Sequence, residues 1–163
     1  MASGNTLLIF TPLAAEPPAS FAATPDVRNQ HPVLDFDDTT QETALFTGVL
    51  PRHYAGGGLT VRVHWAATSA TSGTVGWDVA VERIGDGQQD LDADGFASAK
   101  TIAATDVPAT SGLVKITSAD LASGDEMDNL AAGEAFRLRL RRDVAADSAA
   151  GDAELLALEI EES

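Results

Sequence analysis

Four stretches of the chain alternate apolar and polar residues with period two: Leu59–Trp65, Val75–Glu82, Phe136–Arg141 and Leu156–Ile160. Successive side chains on a strand point to opposite faces. Each stretch therefore makes one oily and one wet face, the pattern of antiparallel sheet with one side buried and the other solvated. The surrounding residues extend three of them to strands over Leu59–Ala66, Thr74–Ile84 and Ala153–Ile160. Further strands are predicted over Leu7–Phe10, Val33–Phe36, Thr43–Leu50, Ile102–Val107 and Leu113–Thr117. Pro51 ends the third of these, because proline gives a ladder no N–H. Phe96–Thr101 suits a short helix or a strand. Residues 118–133 read as a helical turn plus loop, with Ser118 as its cap and Gly133 as its stop.

About eight or nine strands at spacings of roughly 8–15 residues favour a sandwich or barrel over βαβ units, which need long helical crossovers. The Cys…Trp…Cys spacing of immunoglobulin domains is missing. Strand count and length fit a jelly roll better. The expected fold class is all-β: an antiparallel, jelly-roll-like β-sandwich with an extended N-terminal arm.

The arm is set apart by its prolines. Pro12, Pro17, Pro18, Pro25 and Pro32 follow the short apolar run Leu7–Phe10. Proline removes ladder donors and favours extended chain. Residues 1–31 are therefore expected as an arm lying along a surface, its own or a neighbour's, and residues 32–163 as the sandwich domain.

A chain of 163 residues can bury roughly 70% of its unfolded surface and support its own core. With 44% hydrophobic residues but only 6% aromatic, that core is expected to be thin, anchored by Phe36, Phe46, Trp65, Trp77 and Phe136. The two tryptophans are in phase with valines, which places them on the oily face. The formal net charge of -15 argues against direct contact with nucleic acid, which calls for a cationic footprint. Arg137, Arg139 and Arg141, with Arg142 beside them, are expected to face acidic neighbours across the sheet. The chain contains no cysteine, so disulfides, thiolate zinc sites and cysteine nucleophiles are excluded. No basic n-region precedes Leu7–Phe10, and that run is too short for a signal sequence or a membrane span.

Candidate chemistry is sparse. Asp90, Asp92 and Asp94, followed by Gly95, match the opening of a calcium loop, in which alternating carboxylates converge on one hard cation. The closing position holds Thr101 instead of glutamate, so the expectation is a solvated acidic loop and no cofactor, with calcium the weak candidate. His31, His53 and His64 lack metal-binding spacing. There is no nucleophile elbow and no phosphate loop. The expectation is a protein without enzymatic activity.

Several segments together resemble small β-sandwich structural proteins of tailed bacteriophages: His31–Asp37, Ala44–Gly73, Val75–Ile84 and Ala149–Glu162. The strongest piece is F-x-x-x-L-P-x-x-Y-x-G-G-x-L, from Phe46 to Leu59. It is a structural signature, a strand end and a turn set by Pro51, Tyr54, Gly56 and Gly57. The resemblance implies a capsid decoration (cement) protein on the outer surface of the virion, made in the host cytoplasm. It implies the major capsid protein as partner and a homotrimer as the assembly, with no membrane partner. The arm would then supply contacts through Leu7, Leu8, Ile9, Phe10, Pro12, Pro17 and Pro18, with the apolar run adding a strand to an exposed sheet edge. The alternative is a tail, fibre or head-fibre module that binds a host receptor or glycan, for which a loop aromatic such as Tyr54 is the candidate contact.

Overall fold

The computed structural model describes residues 4–87 and 89–163. Ten strands form two antiparallel sheets that enclose one core: β1 (Thr6–Phe10), β2 (Thr24–Arg28), β3 (His31–Phe36), β4 (Thr43–Val49), β5 (Leu59–Ala67), β6 (Thr74–Ile84), β7 (Lys100–Asp106), β8 (Lys115–Leu121), β9 (Ala135–Arg142) and β10 (Ala153–Glu162). One sheet has the order β2-β3-β10-β5-β8, and β1 also pairs with β10. The other has the order β4-β9-β6-β7. The architecture is the expected antiparallel sandwich of jelly-roll type.

The apolar phase read from the chain faces the core, and on β6 the polar phase, Asp78 and Glu82, is buried as well. Val61, Val63 and Trp65 on β5, Val75, Trp77, Val79 and Val81 on β6, and Phe136, Leu138 and Leu140 on β9 are all buried. Trp77 is the hub. Its ring meets Phe36 edge-on at 5.0 Å and Trp65 at 6.3 Å, the tilted geometries that aromatic quadrupoles favour. The Trp65 indole N–H donates to the Thr117 hydroxyl at 3.0 Å.

On β10 the alternation breaks. A bulge lies between Leu155 and Ala157, so Leu155, Leu158 and Ile160 point inward while Leu156 turns to the outer face. An extra residue in one strand shifts every later side chain to the opposite side.

Residues 4–31 lie against the sandwich and pair with its strands. β1 pairs with β10 from Thr6 to Phe10. Phe10 joins the core, its ring 5.5 Å from Phe46. A side chain at Gly48 would come within 2.9 Å of the Phe10 ring, so the bare backbone of β4 makes room for it. Between the strands, Pro12–Ala14 forms a 3-10 turn, and isolated bridges join Glu16 to Leu45 and Ala22 to Thr43. β2 then pairs with β3 along its whole length. The two strands turn at Asn29 and Gln30, both at positive φ, as a two-residue hairpin loop requires. Phe10 and Ala23 of this segment join the core, and Leu7, Leu8 and Ala15 pack against it.

Two further readings are corrected. Ser118 caps no helix. It lies mid-strand in β8, opposite Arg62, and the helical turn falls later, at Asp125–Met127. Phe96–Thr101 is largely irregular, with β7 starting at Lys100.

Candidate functional site

The residues available for recognition lie on the outer face of the six-stranded sheet and along the N-terminal segment that borders it. Cross-strand register places Thr24, Asp26 and Arg28 of β2, His31, Val33 and Asp35 of β3, Glu154 of β10, and His64 and Ala66 of β5 on this face. Two shallow troughs cross it. One, of about 270 Å³, is floored by Val33, Ala66 and Leu156 and walled by Arg28, His31 and Glu154. The other, of about 320 Å³, shares His31 and Leu156 and continues between Pro12, Leu13 and Pro32.

The N-terminal segment lifts large apolar side chains into solvent, Leu13 among them at the rim of the second trough. Leu13 is 81% exposed, and Ile9 and Val27 are each 63% exposed. Leu13 and Val27 border a common depression with Pro25 and Pro32. These exposed apolar side chains stand on a chain with a net charge of -15.

Of the residues expected to make contacts, Ile9 and Pro17 are exposed, whereas Pro12 and Pro18 are half-buried. Leu7 and Leu8 pack against the core and Phe10 is within it. Those three are structural here, because β1 is already a strand of this chain's own sheet. Leu13 and Val27, the most prominent members of the patch, carry no pattern that singles them out in sequence.

The charges on the face are mostly paired. Arg28 donates to Glu154 at 2.9 Å and to the Ala67 carbonyl at 2.9 Å. Arg62 meets Glu161 at 2.6 Å, and His64 lies 3.6 Å from Glu159. Asp35 is the exception. Burial, and then the neighbouring Glu154, Asp26 and Asp152, push its carboxyl up to about 7.

The arginine strip lies on the opposite side of the molecule, on the outer face of the four-stranded sheet. Arg141 forms a two-pronged pair with Asp78 at 2.9 and 3.0 Å, and Arg137 reaches Glu82 at 3.4 Å, as expected of charges across strands. Arg139 lies under the Phe96 ring at 5.1 Å. Desolvation lowers its affinity for a proton.

The Asp90–Gly95 loop turns two of its three aspartate carboxylates onto its own backbone. Asp90 accepts the Asp92 N–H at 3.0 Å, and Asp94 accepts the N–H of Asp90. Among the described residues no group of three His, Cys, Asp or Glu side chains is placed to hold a metal ion.

The Pro51 turn is closed by Tyr54. Its hydroxyl accepts the Gly58 N–H at 2.8 Å and donates to Met127 Sδ at 3.7 Å. Gly56 and Gly58, not Gly57, take positive φ. A Cβ at Gly58 would lie 2.7 Å from the Leu121 carbonyl oxygen. Tyr54 is buried and offers no ring to a ligand.

No protein-family model and no curated protein matches the chain. Among solved structures it is similar to the CBM22-1–GH10 modules of endo-1,4-β-D-xylanase 10B from Clostridium thermocellum, complexed with xylohexaose. The TM-score is 0.53 at 12% identity, over 97% of this chain and 28% of that one. The likeness shows an antiparallel β-sandwich, and this chain spans under a third of that protein's length.

Proposed function

We propose that this chain is a structural protein of a tailed-phage virion, of the capsid decoration type. It docks on the outer surface of the head against the major capsid protein and stabilises the shell, as a trimer. The observation that carries this reading is the rigid apolar patch of the N-terminal segment. Leu13 and Val27 are held out to solvent on backbone fastened by strand pairing and isolated bridges. A pre-ordered patch loses little conformational entropy on docking, so more of its contact energy becomes affinity. The Phe46–Leu59 signature and the surplus of negative charge are in keeping with a soluble surface component of a particle.

The test is cryo-microscopy of virions from the phage that encodes the chain, together with mass spectrometry of gradient-purified particles. The expected result is density for the sandwich on the head exterior. Particles that lack the protein, or carry it only at the tail tip, would overturn the reading.

The troughs favour a second reading, a module that binds a host glycan or another receptor. They offer Arg28, His31 and Glu154 beside an apolar floor, the mixture that small-ligand sites use. The solved neighbour is described as carrying a carbohydrate-binding module. Against it, Trp65, Trp77 and Tyr54 are all buried. Glycan-array binding that disappears on Arg28→Ala would favour this second reading over the first.

A further inference from the structure

β1, β2, β4, β7 and β8 each pair on one side only within the two sheets, and an unpaired edge is a template for another chain. Four of these five edges are blunted. β1 is short and carries an extra residue between Thr6 and Leu8. On β2, Pro25 offers no N–H and Asp26 takes the Val27 N–H at 2.7 Å. The edge of β4 is covered by the bridges from Glu16 and Ala22. β7 carries an extra residue between Ile102 and Thr105, and the Thr105 hydroxyl occupies the Ala103 carbonyl at 3.0 Å.

β8 has none of these devices. Its seven residues hold no proline and pair with β5 in unbroken register. Among the described residues no side chain caps its backbone N–H groups. Its outward row, Ile116, Ser118 and Asp120, is exposed beside His64, Arg62 and Thr60 of β5. Ile116 and Val114 are each 52% exposed, and Val114 continues onto the apolar floor of Ala66 and Leu156. At the other end of the row, Asp120 accepts the Thr60 hydroxyl at 2.7 Å. Its second oxygen has no partner among the described residues. Arg62, diagonal to it on β5, is held by Glu161 at 2.6 Å.

We propose that the β8 edge takes an extended basic segment of another protein as an added antiparallel strand, with the pattern basic-x-polar-x-apolar from its N-terminus. Residues directly opposite in an antiparallel pair share a face. The basic residue therefore meets Asp120, the polar one Ser118 and the apolar one Ile116. Backbone bonds supply affinity, and the alternate side chains select the sequence. The net charge of -15 draws a basic segment and repels a second copy of this chain. β8 lies at the opposite edge of the six-stranded sheet from β2. The site needs no contact from the N-terminal face and stands whether or not that face docks on a capsid.

NMR titration of the full chain with an acetylated, amidated peptide containing Lys-Thr-Thr-Thr-Ile tests it. The expected result is saturable amide shifts confined to β8 and its neighbours on β5, with slowed exchange of β8 amides. The same peptide with Glu in place of Lys should bind about threefold or more weaker, and Asp120→Asn should weaken the Lys peptide by about two- to fivefold. Ile116→Lys sets a charge on the edge and should weaken binding by about tenfold or more. Ile116 is exposed, so that variant should melt with the wild type; should it not, the Asp120→Asn comparison carries the test. No shifts at millimolar peptide, shifts centred away from β8, or equal binding of the Glu peptide would each overturn the proposal. So would a dimer of the chain in sedimentation that Ile116→Lys abolishes, since the edge would then belong to a second copy.

Discussion

Arg142 and Asp147 form an ion pair at 2.7 Å with both side chains sealed from solvent. The guanidinium also donates to the carbonyls of Phe36, Gly151 and Ala149, at 3.2, 2.7 and 2.8 Å. It thereby ties the end of β9 to β3 and to the loop that leads into β10. A buried pair contributes little over an apolar replacement of both partners, but removing one partner strands the other charge. Arg142→Leu is therefore expected to cost about 3–5 kcal/mol in urea unfolding. Adding Asp147→Leu to it should recover part of that loss. A double variant as unstable as the two single losses added together would contradict the account.

Phe10 sits in the core although it lies ten residues from the start of the chain. Phe10→Ala is expected to destabilise the protein by about 3 kcal/mol or more, the usual effect of emptying a buried aromatic site. Deletion of residues 1–10 should destabilise it as strongly, since it also strips β1 from β10. Thermal unfolding reads both changes. A truncated chain that melts with the wild type would show that β1 is not part of the sandwich.

Tyr54→Phe removes one hydroxyl and leaves the Gly58 N–H without its acceptor. The expected loss is about 1–2 kcal/mol, read as a lower urea midpoint with an unchanged slope. An unchanged midpoint would mean that the Pro51 turn does not depend on this bond.

The Asp90–Gly95 loop caps its own backbone with two of its three aspartates. Millimolar calcium is expected to leave the melting temperature where it was. A saturable rise on adding calcium, lost in Asp92→Asn, would restore the loop as a cation site.

Much of the fold was legible because β5, β6 and β9 are long and keep their large apolar side chains in one phase, although β6 is buried on both faces. Where the structure departs from the sequence reading, local patterning gave way to pairing between distant residues. β2 reads Thr-Pro-Asp-Val-Arg, with no alternation, and its hairpin turns on Asn29-Gln30 without glycine. The bulge at Leu156 reverses the phase of a strand that looks regular. Arg142 is in phase with Phe136, Leu138 and Leu140, so its burial is written in the alternation, but its charge argues for the surface. The exposed apolar patch was the least visible part. Leu13 and Val27 are single apolar residues fourteen positions apart, and only the folded-back path of residues 12–28 brings them to one surface.

The central claim is that the N-terminal face docks on a phage head. Saturable binding of purified protein to expanded heads that lack it, measured for the wild type and for Leu13→Asp with Val27→Asp, tests that most directly. Both positions are exposed, so the variant should melt with the wild type and bind at least about tenfold more weakly. Equal binding by the two proteins, or no binding by either, would contradict the claim.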